Sequence, residues 1–169
     1  LIEKISILNP NLRIRFATSH PKDISDKLIN IIAKHKNICK SIHLPVQSGS
    51  NYILERMNRK YTREKYLEII EKIKNQIPDC SISTDIIAGF PGEKEYHHHE
   101  TIQLMNIVKF DFAYMFKYSE RENTLAAKKY PDDVPEEIKT KRLNEIINVQ
   151  QKLSLESNKN DVGKTFEVL

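Results

Sequence analysis

The stretch Ser81 to Glu93, SISTDIIAGFPGE, constrains this chain more than any other. Ile82 to Ala88 is apolar and β-branched around Thr84 and Asp85, the pattern of a strand buried on both faces. It breaks into Gly89-Phe90-Pro91-Gly92-Glu93, which holds two of the chain's four glycines. A helical pattern resumes at once, from Lys94 to Val108. Strand, tight turn and helix in that order form a parallel α/β unit, and ligands bind at the C-terminal ends of such strands. Glycine lets a backbone approach a flat or anionic ligand because no Cβ stands in the way. A side chain at position 89 is therefore expected to intrude on the ligand. A turn that merely needs positive φ is the plainer reading.

The same unit recurs along the chain. Leu12 to Thr18 alternates apolar and basic residues and reads as a strand, followed by an amphipathic helix from Ile24 to Lys36. Ile38 to Val46 is the next strand and runs into Gln47-Ser48-Gly49-Ser50 and a short helix, Asn51 to Met57. Thr62 is a natural N-cap for a helix from Arg63 to Ile77, which Pro78 ends. Phe112 to Tyr118 is a fourth strand, closed by the polar run from Ser119 to Thr124. Four strands separated by helices predict an α/β fold with a parallel sheet or part of a barrel. After Tyr130, Pro131 to Pro135 reads as a linker. Pro135 suits the first position of a helix with Glu136 and Glu137 behind it. A long helix follows from Ile138 to about Ser157, with Leu143, Ile146, Ile147 and Leu153 inward. Gly163 stops it, and Lys164 to Leu169 begins another strand.

The 169 residues suit one domain of ordinary size, with 39% hydrophobic and 30% charged residues. No apolar run approaches a membrane span. The charged opening LIEKISILNPNLRIRF is not a signal peptide. Leu1 is not an initiator Met and falls in what reads as the end of a helix, so a piece of a longer protein is expected. The net charge of +4 permits an anionic partner without requiring one. Cys39 and Cys80 read as separate buried thiols of a reducing, cytoplasmic setting.

Several residues could carry chemistry. Gln47 and Ser48 follow a strand and open a helix, where they can hydrogen-bond a ribose or carboxylate, or simply cap the turn. Asp85 lies in a strand that should be buried, so it needs a ligand or a partner such as Thr84 or Lys117. Arg121, just past the fourth strand, can clamp a carboxylate or phosphate. His97, His98 and His99 do not form a metal site, because consecutive helical residues point about 100° apart. They read as a solvated helix face. Arg56, Arg59, Lys60, Arg63 and Lys65 form the densest basic cluster, fit for a nucleic-acid backbone or for plain solvation.

In combination, HLPVQSGSNYILERMNRKYTREKY (His43 to Tyr66), STDIIAGFPGE (Ser83 to Glu93) and YMFKYSERENTLAA (Tyr114 to Ala127) resemble the radical S-adenosylmethionine (SAM) methylthiotransferases. The wording from His43 to Ser50 is most similar to the tRNA branch, which adds a methylthio group to C2 of isopentenyladenosine beside the anticodon. The resemblance implies a partial (β/α) barrel over residues 1–130, a TIM-like half barrel. A linker helix over 131–163 and the start of an RNA-binding TRAM domain over 164–169 would follow. It implies SAM across the strand ends. Gln47 and Ser48 would approach its ribose or methionine part, and Ile87 and Gly89 would flank the adenine. Phe116 and Tyr118 would bring the last strand against it, and Asp85 and Arg121 stand at matching positions.

The resemblance also implies two 4Fe–4S clusters, a tRNA partner and no membrane. The family's CxxxCxxC motif is absent from this chain, so the cluster ligands are expected outside it. The family's usual Arg-Pro-Gly-Thr after the last strand is here Arg121-Glu122-Asn123-Thr124. Asn tolerates the same positive φ as Gly. The rival readings are the ribosomal-protein or threonylcarbamoyladenosine branch, a non-catalytic RNA-binding module and an unrelated phosphate-binding barrel. The chain by itself is expected to hold no cluster and to self-associate.

Overall fold

The structure, a computed structural model, describes residues 1–17 and 20–165. A short helix α1 (Ile2–Leu8) leads to α2 (Asp26–Lys34), β1 (Ser41–His43), α3 (Asn51–Arg56) and α4 (Arg63–Gln76). Strand β2 (Ser81–Ala88), α5 (Glu95–Val108), β3 (Phe112–Lys117), α6 (Leu125–Lys129) and α7 (Glu136–Lys159) follow. The strands form one parallel sheet in the order β1-β2-β3. It is an α/β architecture of successive strand–helix units, a partial barrel with a C-terminal helix.

Local chemistry explains most boundaries. Thr62 caps α4 by accepting the amide of Lys65, as expected. Pro135 is the N-cap of α7 rather than its first residue, and Glu136 and Glu137 stand in the first turn, where the helix dipole favours them. Helix α6 was not anticipated, although Thr124 caps it at the Ala127 amide and good helix formers follow.

Two expected strands are shorter than their patterns. Around Ile14 the ladder shrinks to a single parallel bridge with Ile38. The Ile14 amide donates to Asn37 and the Cys39 amide to Ile14, both at 2.8 Å. Ile14 and Phe16 turn inward and Arg13 and Arg15 outward, so the alternation was right while the pairing is minimal. In β1 the regular ladder stops before Pro45, which has no amide to donate. Thr18, which ends the expected Leu12 to Thr18 strand, and residues 166–169 of the expected Lys164 to Leu169 strand lie outside the described residues.

Alternation along β2 sorts the sheet's two faces. Ile82, Thr84, Ile86 and Ala88 are buried on one face. The three apolar members join a core with Ile70 and Ile73 of α4, Leu104 and Met105 of α5, and Ile146 and Leu153 of α7. Ser83, Asp85 and Ile87 share the opposite face and pair in register with Phe112, Tyr114 and Phe116 of β3. Those three aromatic residues are about half exposed. The expectation that β2 is covered on both faces is therefore corrected: one face is packed and the other open.

Helix α7 buries Lys139, Arg142, Ile146, Gln150 and Leu153 along one stripe. Leu143 and Ile147 are only half-buried. Polar residues occupy the stripe because acceptors stand opposite: Gln150 Nε2 donates to the Phe110 carbonyl at 2.8 Å, and Arg142 reaches Glu93.

Candidate functional site

A cavity of about 520 Å³ opens at the C-terminal ends of β2 and β3. Ile87 and Phe116 line it from the open face of the sheet, Phe90 from the glycine turn, and Tyr118, Arg121 and Thr124 from the segment after β3. Phe90 and Tyr118 stack edge to face with centroids 5.0 Å apart. The wall is thus mainly apolar and aromatic, with Arg121 exposed among its lining residues. Such a site suits a flat heterocycle carrying charged groups. The Tyr118 hydroxyl is buried and has no hydrogen-bond partner among the described residues. Burial raises its pKa, with Glu120 and Asp132 adding to the effect.

Ile87, Phe116, Tyr118 and Arg121 are thereby brought together as anticipated. Phe90 was missed, although its place between the two turn glycines was a signal. Asn123 adopts φ 67°, so the turn that carries Arg121 keeps the positive φ expected of Asn. Its neighbour Thr124 closes that turn by donating to the Arg121 carbonyl.

Gln47, Ser48, Asp85 and Gly89 are not among the residues lining the cavity. Gln47 is buried at φ 68°, its amide bonded to the Asp85 carbonyl and its carbonyl to the Ile87 amide. It therefore fixes the backbone beside Ile87. Ser48 is fully buried, and its oxygen lies 3.4 Å from Thr101 Oγ1 on α5. Gly49 presses on the same helix, where an added Cβ would lie 2.5 Å from the Glu100 carbonyl oxygen. The Gln47–Ser50 segment thus docks α3 against α5.

Gly89 requires a correction. It has φ +72°, and a Cβ there would lie 2.4 Å from Lys139 Cγ of α7. The space beside it is filled by protein.

Asp85 is half-buried and pairs with neither Thr84 nor Lys117. His43 Nε2 lies 3.3 Å from its carboxylate, and His43 Nδ1 lies 3.0 Å from Ser83 Oγ. Lys117 pairs with Glu136 instead.

The histidine run is not a solvated face. His97 and His98 are buried, and only His99 is exposed. The His97 ring accepts the Lys94 amide and stacks on Tyr52, while His98 Nε2 lies 2.7 Å from Glu145 of α7. The basic cluster divides as well. Arg56 donates to the Pro91 carbonyl and covers the Tyr130 ring at 3.8 Å, and Arg63 donates to the Glu100 and Gly49 carbonyls. Two of its five members therefore serve the fold.

Cys39 and Cys80 are half-buried rather than buried, each shortly before its strand. Burial pushes the Cys80 thiol up to about 11. A cluster needs several thiolates in one place. Among the described residues no three His, Cys, Asp or Glu side chains gather as a metal site. The described residues therefore offer no ligand set for an iron–sulfur cluster, while the aromatic wall of the cavity is of a kind that takes a flat heterocycle.

The radical SAM superfamily profile matches residues 1–105. The chain belongs to that superfamily. Over all 169 residues it is 57% identical to a tRNA-2-methylthio-N(6)-dimethylallyladenosine synthase of Phocaeicola vulgatus, of which it covers 37%. It is likewise 57% identical over its full length to a protein of the same name from Chloroherpeton thalassium, covering 38% of it. The chain thus spans little more than a third of these relatives. Among solved structures, Escherichia coli coproporphyrinogen III oxidase (HemN), described as a radical SAM enzyme, superposes with a TM-score of 0.71 at 18% identity. That match takes in 90% of this chain and 36% of the oxidase, and it supports the radical SAM fold. Membership in the superfamily implies SAM and iron–sulfur chemistry. No helix among the described residues is long and apolar enough to cross a membrane.

Proposed function

We propose that this chain is the SAM-binding C-terminal part of the barrel of a tRNA methylthiotransferase. The enzyme would add a methylthio group to C2 of an N6-dimethylallyl (isopentenyl) adenosine beside the anticodon. The observation that carries this reading is the cavity at the ends of β2 and β3, in a chain that matches relatives of that name over its whole length. Ile87, Phe90, Phe116 and Tyr118 would hold the adenine, and the Tyr118 hydroxyl would gain the partner it lacks. Arg121 would take a charged end of the ligand. Gln47 would act near the ribose, Asp85 with His43 further along the open sheet face. Ser48 and Gly89 would contribute backbone rather than side chains.

SAM held at an iron–sulfur cluster supplies the radical chemistry. The part of this chain is to bind SAM, orient it and keep water from it. Two 4Fe–4S clusters would be held by residues outside this chain, and residues 164–169 would begin a TRAM domain that grips tRNA. A cytoplasmic location follows from that substrate.

The test uses the full-length, anaerobically reconstituted protein. SAM affinity and methylthiolation of a dimethylallyladenosine-containing tRNA are measured for wild type and Phe116→Ala. The reading expects product from wild type and weakened SAM binding in the variant. Activity only on threonylcarbamoyladenosine or on a ribosomal protein would overturn it.

A further inference from the structure

Helix α7 stands behind the glycine turn that gives the cavity Phe90. Glu93 ends the glycine turn with its side chain 2% exposed, and its Oε1 accepts the Gly89 amide at 2.8 Å. The same oxygen accepts Arg142 Nη1 at 3.1 Å, and that guanidinium also donates to the Glu93 carbonyl at 3.0 Å and to Glu95 at 3.3 Å. One turn earlier on α7, the stem of Lys139 fills the space beside Gly89. Its ammonium pairs with Asp132 and sits 5.4 Å from the centroid of the Tyr118 ring. Tyr118 in turn lines the cavity, and its amide donates to Ala88 at 2.8 Å. The Gly92 amide is held by Asp133, in the approach to α7. The turn is therefore tied to the sheet on one side and to α7 on the other.

We infer that Arg142 and Lys139 are positioning residues of the cavity, and that SAM binding and the docking of the first turns of α7 are linked. The inference rests on reading the cavity as a SAM site. Its physical basis is the pair of buried charges. Burial raises the pKa of Glu93, and the Gly89 amide and Arg142 oppose that rise. Glu93, held by Arg142, accepts the Gly89 amide and so fixes the turn that sets where Phe90 and Tyr118 stand. A ligand that favours this arrangement must favour the docked helix by the same factor, because linkage is reciprocal.

Hydrogen exchange of the full-length, reconstituted protein, with and without SAM, tests this. SAM is expected to slow amide exchange about tenfold over residues 139–146 as well as around the cavity, a coupling of ordinary size. Arg142→Met should lose that effect and bind SAM about tenfold more weakly, with Arg142→Lys in between. Arg59→Ala, which lies outside this network, should behave as wild type. A SAM affinity in Arg142→Met equal to wild type would overturn the inference. So would SAM binding that protects the cavity and leaves residues 139–146 unchanged. If the Arg142 variants do not fold, the wild-type exchange pattern decides alone. Absence of SAM binding by wild type would overturn the reading of the cavity, and this inference with it.

Discussion

Thr84 splices β2 to the chain beyond β1 around a proline. Its hydroxyl donates to the Leu44 carbonyl at 3.0 Å and accepts the Val46 amide at 2.9 Å, so one side chain replaces the ladder contacts that Pro45 interrupts. Leu44 also accepts the Tyr66 hydroxyl at 2.8 Å, which ties α4 to the same carbonyl. The ladder then resumes, as Gln47 donates to Asp85.

Thr84→Val keeps the shape and removes both bonds. The Val46 amide is then buried without a partner, a loss of about 1–3 kcal/mol. Thr84→Ser retains the hydroxyl and should recover most of it. Denaturant midpoints of the two variants decide; equal midpoints would show that the hydroxyl is dispensable.

Gly89→Ala should lower stability before it touches any ligand. The left-handed backbone alone costs a side chain about 1–2 kcal/mol, and the new methyl meets Lys139 Cγ. Combining it with Lys139→Ala should return part of the loss, because the Cγ clash disappears while the tight contact with Lys139 Cβ at 3.0 Å and the backbone component stay. A four-variant cycle of thermal melts measures the coupling. Strict additivity would place Lys139 elsewhere.

Stability should fall as the pH drops below neutrality. Burial holds His98 below its ordinary value of 6.5, with Arg142 helping, and outweighs the opposing pull of Glu145 and Glu95. The unfolded chain therefore takes up this proton near pH 6.5, and the folded chain only at lower pH. The unfolded state binds more protons in that window, so stability rises with pH there and is lost on acidification. His97 shifts in the same direction, chiefly by burial. His98→Gln should flatten the urea midpoint between about pH 7 and pH 6 relative to wild type; an unchanged slope would remove His98 from the account.

The 169-residue chain taken alone should self-associate. Phe112, Tyr114 and Phe116 stand 51%, 52% and 55% exposed in a row on the open sheet face. Fully burying an exposed ring is worth roughly 1.5–3 kcal/mol, so these three half-exposed rings together outweigh the mutual repulsion of Arg13 and Arg15 at a new edge pairing, below about 1 kcal/mol. Light scattering behind size exclusion should give a mass that grows with concentration, and Phe112→Ser should reduce it. A monomer at every concentration would refute the expectation.

Sequence alone determined the features that depend on near neighbours. The strand–turn–helix at Ser81 to Val108, the Thr62 cap, the positive φ of Asn123 and the grouping of Ile87 with Phe116 all follow from alternation, turn chemistry or matched wording. Helix α6 was legible too, from Thr124 and the Leu-Ala-Ala that follows. Tertiary structure alone decided which polar groups are buried and against what. Nothing local pairs Glu93 with Arg142, 49 residues later, or turns His98 toward Glu145. Nor could periodicity say that the inner stripe of α7 would carry Lys139, Arg142 and Gln150. A polar side chain goes inside only where a carbonyl, carboxylate or ring stands opposite, and the packing of distant elements sets that partner. The same reason separates Gly89, beside which Lys139 already lies, from Ile87, which is left open to the cavity.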